Sequence, residues 1–255
     1  MEVHHHPEVE KKGLKEYLLE GLMIFIAVMM GFFAESLREH INDRNKAKEY
    51  AEAMVSDLAA DTARLSKYIK YTDNATRNVD TLMKLLSSSD PKDIPSGKLY
   101  WYGLFGGWPN TYVPNDATLL GMKNSGSLRY FTKPSINRAL AKYDQLLQSF
   151  RTSDVLQQGI YTEVRKIRAQ LFEFKYNEIA NSILQATRKK FDRAPIDSFI
   201  RSNPPLLSND KVLFNQYAEM VRSRFMKNQL DVADSLKLQA VRLMSALKIE
   251  YNLKE

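Results

Sequence analysis

Residues Tyr17 to Leu37 read Tyr-Leu-Leu-Glu-Gly-Leu-Met-Ile-Phe-Ile-Ala-Val-Met-Met-Gly-Phe-Phe-Ala-Glu-Ser-Leu, an apolar run with no counterpart elsewhere in the chain. A helix needs roughly 20 mostly apolar residues to cross the hydrocarbon core, about 17 at the least, so Tyr17 to Ala34 meets the limit with Glu20 near one end. The run predicts one membrane helix over 17–37, with a short tail over 1–16 before it. Everything after it is charge-rich and amphipathic. About 210 residues are left for a soluble part, enough for one sizeable helical core or two small ones.

A cleaved signal peptide has a shorter apolar region and ends in small residues, whereas Ala34 follows Phe32 and Phe33 and leads into a long helical pattern. The segment is therefore read as an uncleaved signal anchor. Lys11, Lys12 and Lys15 on one side nearly balance Arg38, Arg44, Lys46 and Lys48 on the other, so loop charge leaves the orientation close to a tie. The short basic tail before a first span favours an exported C-terminal domain, which puts that domain in the periplasm of a bacterial inner membrane. Ala27 and Gly31 form a small-xxx-small pair, a surface on which two spans can approach closely. Glu20 is either an ion or proton ligand inside a helix bundle or a carboxylate that snorkels to the headgroups; its nearness to Glu16 and Tyr17 favours snorkelling.

There is no cysteine, which removes disulfides, thiolate metal sites and thiol nucleophiles. The net charge of +7 is spread along the chain, with clusters at Arg165-Lys166-Arg168 and Arg188-Lys189-Lys190 on helices that also carry acids. No groove-reading or base-stacking motif accompanies them, so nucleic acid is set aside as a partner and the bilayer is retained. His4-His5-His6 has only His40 as a further histidine, beyond the span, and converging ligands are lacking, so neither a metal nor a cofactor is expected. A truncated purification tag is another reading of the triplet.

From Ser36 to Ser87 there is neither proline nor glycine. Ala51, Val55, Leu58, Thr62, Leu65, Ile69, Thr72, Thr76, Val79, Met83 and Leu86 follow a 4-3 spacing, predicting a heptad-patterned helix over 38–90. Its threonines suit packing inside a bundle as well as a homo-oligomeric coil. Asp57 and Asp61, one turn apart, fall on the solvated side of this seam and read as surface charge.

Eight glycines and prolines between Pro91 and Pro114 predict an irregular, aromatic loop over 91–117. Tyr100, Trp101, Tyr102, Phe105, Trp108 and Tyr112 lie in it, either as anchors for a ligand or partner or as a plug for the end of a bundle; the plug is favoured. Central helices follow over 118–193. A short one is capped by Asn115 or Asp116 and stopped by Gly126; the next opens near Pro134 and runs to Phe150; another spans Asp154 to Phe191. A Pro-rich linker over 194–208 and C-terminal helices over 209–255, bending near Lys227-Asn228, complete the chain. No strand pattern competes, so the fold class is all-α, with one membrane helix continuing into a long helix and a bundle of four or five helices.

The Glu20–Phe32 span, Glu49-Tyr50, Asp57-Leu58 and the Leu120-Gly-Met-Lys-Asn-Ser-Gly-Ser-Leu128 element together resemble a widespread group of bacterial single-pass membrane proteins of unknown function. In that group a downstream Leu-Lys-Ser-Ser-Gly-x-Leu element leads into the later helices; here Met122-Lys123-Asn124-Ser125-Gly126 stands in its place. The opening Met-Glu-Val-His-His-His-Pro is similar to the start of some of those proteins. The resemblance implies architecture and assigns no catalytic residue.

No Walker loop, dinucleotide fingerprint, G-x-S-x-G or H-E-x-x-H motif is present, and no histidine follows His40. Ser245-Ala-Leu-Lys248 matches S-x-x-K without its companion motifs and reads as chance. The expectation is a membrane-anchored helical interaction, scaffold or sensor module without catalytic activity, self-associating through its span and seam or binding an unidentified protein partner. The alternative is a subunit of an oligomeric channel or ion-coupled complex that uses Glu20.

Overall fold

The computed structural model describes residues 13–107, 111–187, 192–224 and 228–253. Among them are eight α-helices and no strand, in agreement with the all-α reading. The chain divides into two compact units, residues 1–51 and 52–255.

Helix α1, Leu14–Ser88, is 75 residues long and begins three residues before the predicted span. Gly13 N–H donates to Glu16 Oε2 at 3.0 Å, half of a capping box at the helix entry. All residues from Leu14 to Asn45 are exposed, and the most apolar 18-residue window of α1 has a mean hydropathy of 2.0 with none of it buried. Phe32 and Phe33 are 70% and 73% exposed, an arrangement that water penalises and hydrocarbon does not. This helix is long and apolar enough to cross a membrane.

In the second unit, α1 buries one face. Leu58, Leu65, Thr72 and Val79 are buried as the heptad predicts. The alternate positions differ: Met54, Asp61, Tyr68, Ala75 and Leu82 are buried, whereas Val55, Thr62, Ile69, Thr76 and Met83 are half-buried. Both sets obey a 4-3 spacing and lie one residue apart, so the centre of the face is rotated by one position from the predicted seam and takes in the charged Asp61. Thr72 and Thr76 satisfy their hydroxyls on the carbonyls of Tyr68 and Thr72, each at 2.9 Å, which lets threonine sit in a packed helix face.

After a 3-10 turn at Pro91–Asp93 come α2, Ser96–Gly106; α3, Ala117–Ser125; α4, Pro134–Leu171; α5, Phe174–Thr187; α6, Ala194–Ser202; α7, Lys211–Arg224; and α8, Asn228–Tyr251. Three predicted boundaries are corrected. The 91–117 loop contains α2, because the glycines read as breakers are points of close approach. A Cβ on Gly97 would lie 2.2 Å from the Ile200 carbonyl oxygen, and one on Gly106 would lie 2.5 Å from the Tyr217 hydroxyl. The linker over 194–208 contains α6, whose Pro195 occupies the first turn, where the missing N–H costs nothing. The predicted break near 151–153 is absent; α4 runs on to Leu171 and ends where Phe172 turns extended and buries its ring. The predicted stop is present: Gly126 has φ 70° and ends α3 in the left-handed region.

The core of this unit sits between α1, α2, α4, α5, α6 and α7, with α8 packed along α4. Gln239 Nε2 donates to the Ala139 carbonyl at 3.0 Å, and the Phe131 and Tyr251 rings lie 5.7 Å apart at the start of α4 and the end of α8.

Candidate functional site: a carboxylate clamp and an aromatic-floored groove

Asp61 is fully buried, which overturns its reading as surface charge. Its Oδ2 accepts from the Tyr143 hydroxyl at 2.7 Å, and its Oδ1 from the Asn115 backbone N–H at 2.6 Å. One turn earlier, Asp57 Oδ1 accepts from Asn115 Nδ2 at 2.8 Å and its Oδ2 from the Thr118 N–H at 3.0 Å. Two carboxylates on one face of α1 thus hold the segment that opens α3 from both sides. Charged acceptors make these the stronger class of hydrogen bond, and burial raises the cost of losing them.

The capping of α3 differs from expectation. Asp116 occupies the N-cap position but makes no capping bond; its carboxylate pairs with Arg151 at 2.6 Å. Asp57 caps the helix instead, from 61 residues away in sequence. Arg64 Nη1 fastens the same segment by donating to the Val113 carbonyl at 3.2 Å. Burial, then the neighbouring Asp61 carboxylate, pushes the pKa of both Tyr143 and Tyr112 upward, so both phenols stay protonated and Tyr143 keeps the proton it donates to Asp61. The buried Tyr112 hydroxyl has no hydrogen-bond partner among the described residues.

The six aromatic candidates do not form one surface. Tyr112 packs on Phe150 and Tyr68, with ring centroids 5.2 and 6.2 Å away, beside the clamp. Tyr100, Trp101 and Phe105 are buried in α2, and Trp108 lies outside the described residues. Tyr100 acts as a polar bridge within the core: its hydroxyl donates to the Pro205 carbonyl at 2.8 Å and accepts from the Glu173 N–H at 2.9 Å. One phenol thereby ties the α4–α5 junction to the connection after α6. Around it, the Phe172 ring lies 5.0 Å from Tyr100, 5.9 Å from Phe214 and 5.9 Å from Tyr217. The exposed hydrophobic anchors expected of a protein-docking loop are therefore mostly core. Tyr102 alone of the α2 aromatics is half-buried.

One guanidinium bonds the end of α2, and a second lies beside Gly107. Arg224 Nη1 donates to the Gly106 carbonyl at 2.7 Å and lies 4.9 Å above the Tyr161 ring, while Arg168 Nη2 donates to Asn177 Oδ1 at 2.7 Å. Burial lowers both pKa values, yet for Arg224 a cation is the proper partner for the terminal carbonyls of a helix.

On its outer side, α2 floors a groove of about 570 Å³ between residues 70–81 of α1, the end of α5 and α6. Trp101, Phe105, Leu184, Ile196 and Ile200 form its apolar floor. Lys70, Arg77 and Arg193 stand at its walls. A second cavity of about 850 Å³ lies between the end of α1 and α7, crossed by the Arg222–Asp80 pair at 3.1 Å.

Comparison with protein-family models, with curated proteins and with solved structures finds no match.

Glu20, Ala27 and Gly31 all lie on the exposed surface of the apolar part of α1, and a Cβ on Gly31 would meet nothing within 4 Å. Among the described residues no three acids or histidines are grouped to hold a metal ion. Asp57 and Asp61 went unrecognised because an acid in a heptad is scored as solvent-facing. The signal that finds them is the i, i+4 acid pair set beside a downstream Asn-Asp-x-Thr helix start that needs caps.

Proposed function

We propose that the chain is a membrane-anchored helical interaction or sensor module without catalytic activity, held in a bacterial inner membrane by the 17–37 segment with its helical unit in the periplasm. The observation that carries this reading is the wholly exposed apolar segment of α1 in a chain whose second unit buries its own core. The use of the acids supports it further. Asp57, Asp61 and Asp116 spend their carboxylates on backbone N–H groups, an amide, a phenol and a guanidinium. General acid–base catalysis requires a group free to exchange a proton with substrate, and these are engaged in holding α3. The resemblance of the Leu120–Leu128 element to that of bacterial single-pass proteins agrees with the anchor.

A topology reporter fused after Glu255, followed by crosslinking on the side it reports, tests the reading. The expected outcome is an exported reporter and a recovered complex, either a second copy of the chain or another protein. A cytoplasmic reporter overturns the orientation, and recovery of neither self-association nor a partner overturns the module.

A further inference from the structure

We propose that the groove over α2 binds a single-chain amphiphile carrying one negative charge, its apolar chain lying on Trp101, Phe105 and Ile200 and its head group between Lys70, Arg77 and Arg193. The assignment rests on reading the helical unit as a binding module and names the ligand it takes.

Size argues for a small ligand over a protein. At about 570 Å³ the groove falls within the range of small-molecule sites, whereas a stable protein partner buries roughly 800 Å² on each side and needs exposed anchors. Trp101 and Phe105 are only 5% and 4% exposed, so they offer a smooth floor and no knob for a partner's pocket. Shape argues for a chain: along α1 the lining runs from Lys70 to Thr81, about 16 Å of helix. The floor is closed from below by the α2–α6 approach, where Gly97 lies against the Ile200 backbone and accepts no side chain.

Charge sets the head group. Arg77 is held by Asp73 at 2.6 Å within α1, and Arg193, the N-cap of α6, by Asp197 at 3.4 Å. Lys70 makes no ion pair among the described residues, so one cation of the three is left over for a ligand. The exposed arginines retain further donors, since a guanidinium has five N–H groups and a single carboxylate does not use them all. A lone anion is thereby matched, a cationic head is repelled, and a neutral head leaves Lys70 unused. The Tyr71 and Tyr102 hydroxyls and the Asn74 amide add polar groups at the same walls. A carboxylate head carries this single charge; a phosphate monoester, with between about one and two negative charges near neutral pH, addresses the same donors.

The test is photolabelling of the full chain in phosphatidylcholine nanodiscs with a diazirine-bearing dodecanoic acid, mapped by mass spectrometry of tryptic peptides. Label is expected in Leu99–Lys123 and Ala194–Arg201. Competition by excess dodecanoate or dodecyl phosphate is expected to remove about tenfold of that label, while dodecanol and dodecyltrimethylammonium remove less than about twofold, the difference one desolvated ion pair makes. Whichever of the two anions removes the label at the lower concentration distinguishes a fatty-acid source from a phosphate one. Asn78→Trp, which fills the groove from its half-buried wall, and Lys70→Glu, at an exposed site, are each expected to abolish the competed label with unfolding unchanged. Label confined to peptides of residues 17–37, equal competition by dodecanol, or full labelling of Asn78→Trp overturns the proposal. A partner recovered by crosslinking in spite of that result leaves the module standing and removes only the ligand.

Discussion

The clamp around Asp61 and the aromatic layer around Phe172 are both buried in the second unit, and they hold it by opposite means. In the clamp, two carboxylates accept four hydrogen bonds from a single segment and from α4, so position is fixed by direction. In the aromatic layer, Phe172 meets Tyr100, Phe214 and Tyr217 edge-on, so position is fixed by volume. Direction and volume fail differently. An isosteric change that removes a charge injures the first and spares the second, while a change of size does the reverse.

The largest expected effect is from Phe172→Ala, which empties the centre of the aromatic layer. It should destabilise the unit by about 4 kcal/mol, read by chemical unfolding of the full chain in mild detergent with circular dichroism. Phe172→Leu should recover more than half of that loss; if it does not, edge-on geometry matters there beyond volume and the contrast weakens. Asp61→Ala comes next, at about 3 kcal/mol, because it leaves the Tyr143 hydroxyl and the Asn115 N–H buried without an acceptor. A fully stable Asp61→Leu variant would show that the clamp contributes no net stability and serves geometry alone.

Tyr143→Phe removes one donor and keeps the ring, for an expected cost of about 2 kcal/mol in the same measurement. Hydrogen exchange sharpens the distinction: this variant should speed exchange at Asn115 and Thr118 while leaving α2 amides protected. An effect confined to alkaline pH completes the comparison. Burial raises Tyr217 and Tyr68 to about 12, above the ordinary phenol value near 10. A raised folded value means stability is intact below pH about 10, where both states keep the proton, and is lost progressively as the pH climbs towards 12. Tyr217→Phe should flatten the stability profile between pH about 10 and 12. An unchanged slope would show that the phenol ionises freely and is not sealed in the layer.

How far the chain could be read in advance varies with the kind of residue. The α3 stop at Gly126 and the Pro134 start of α4 were legible, since each rests on local backbone preference. The heptad face was half legible. Leu58, Leu65, Thr72 and Val79 were found, while Asp61 and Tyr68 were missed because their burial depends on partners at Tyr143 and Phe150. Helix α2 was not legible, because glycine argues against helix until the neighbour that needs its missing side chain is known. Of the site, the α2 aromatics were singled out by composition, but their role as floor and core depended on α5 and α6 closing over them.

By itself the sequence determined that this is an all-α chain with one segment apolar enough for a membrane, because an unbroken apolar run and a 3.6-residue period are properties of consecutive residues. The tertiary structure alone decided which acids are structural, where the aromatics face and that a groove exists. Those properties belong to residues far apart in sequence, such as Asp57 with Thr118 and Gly97 with Ile200, and no local pattern records which of them will meet.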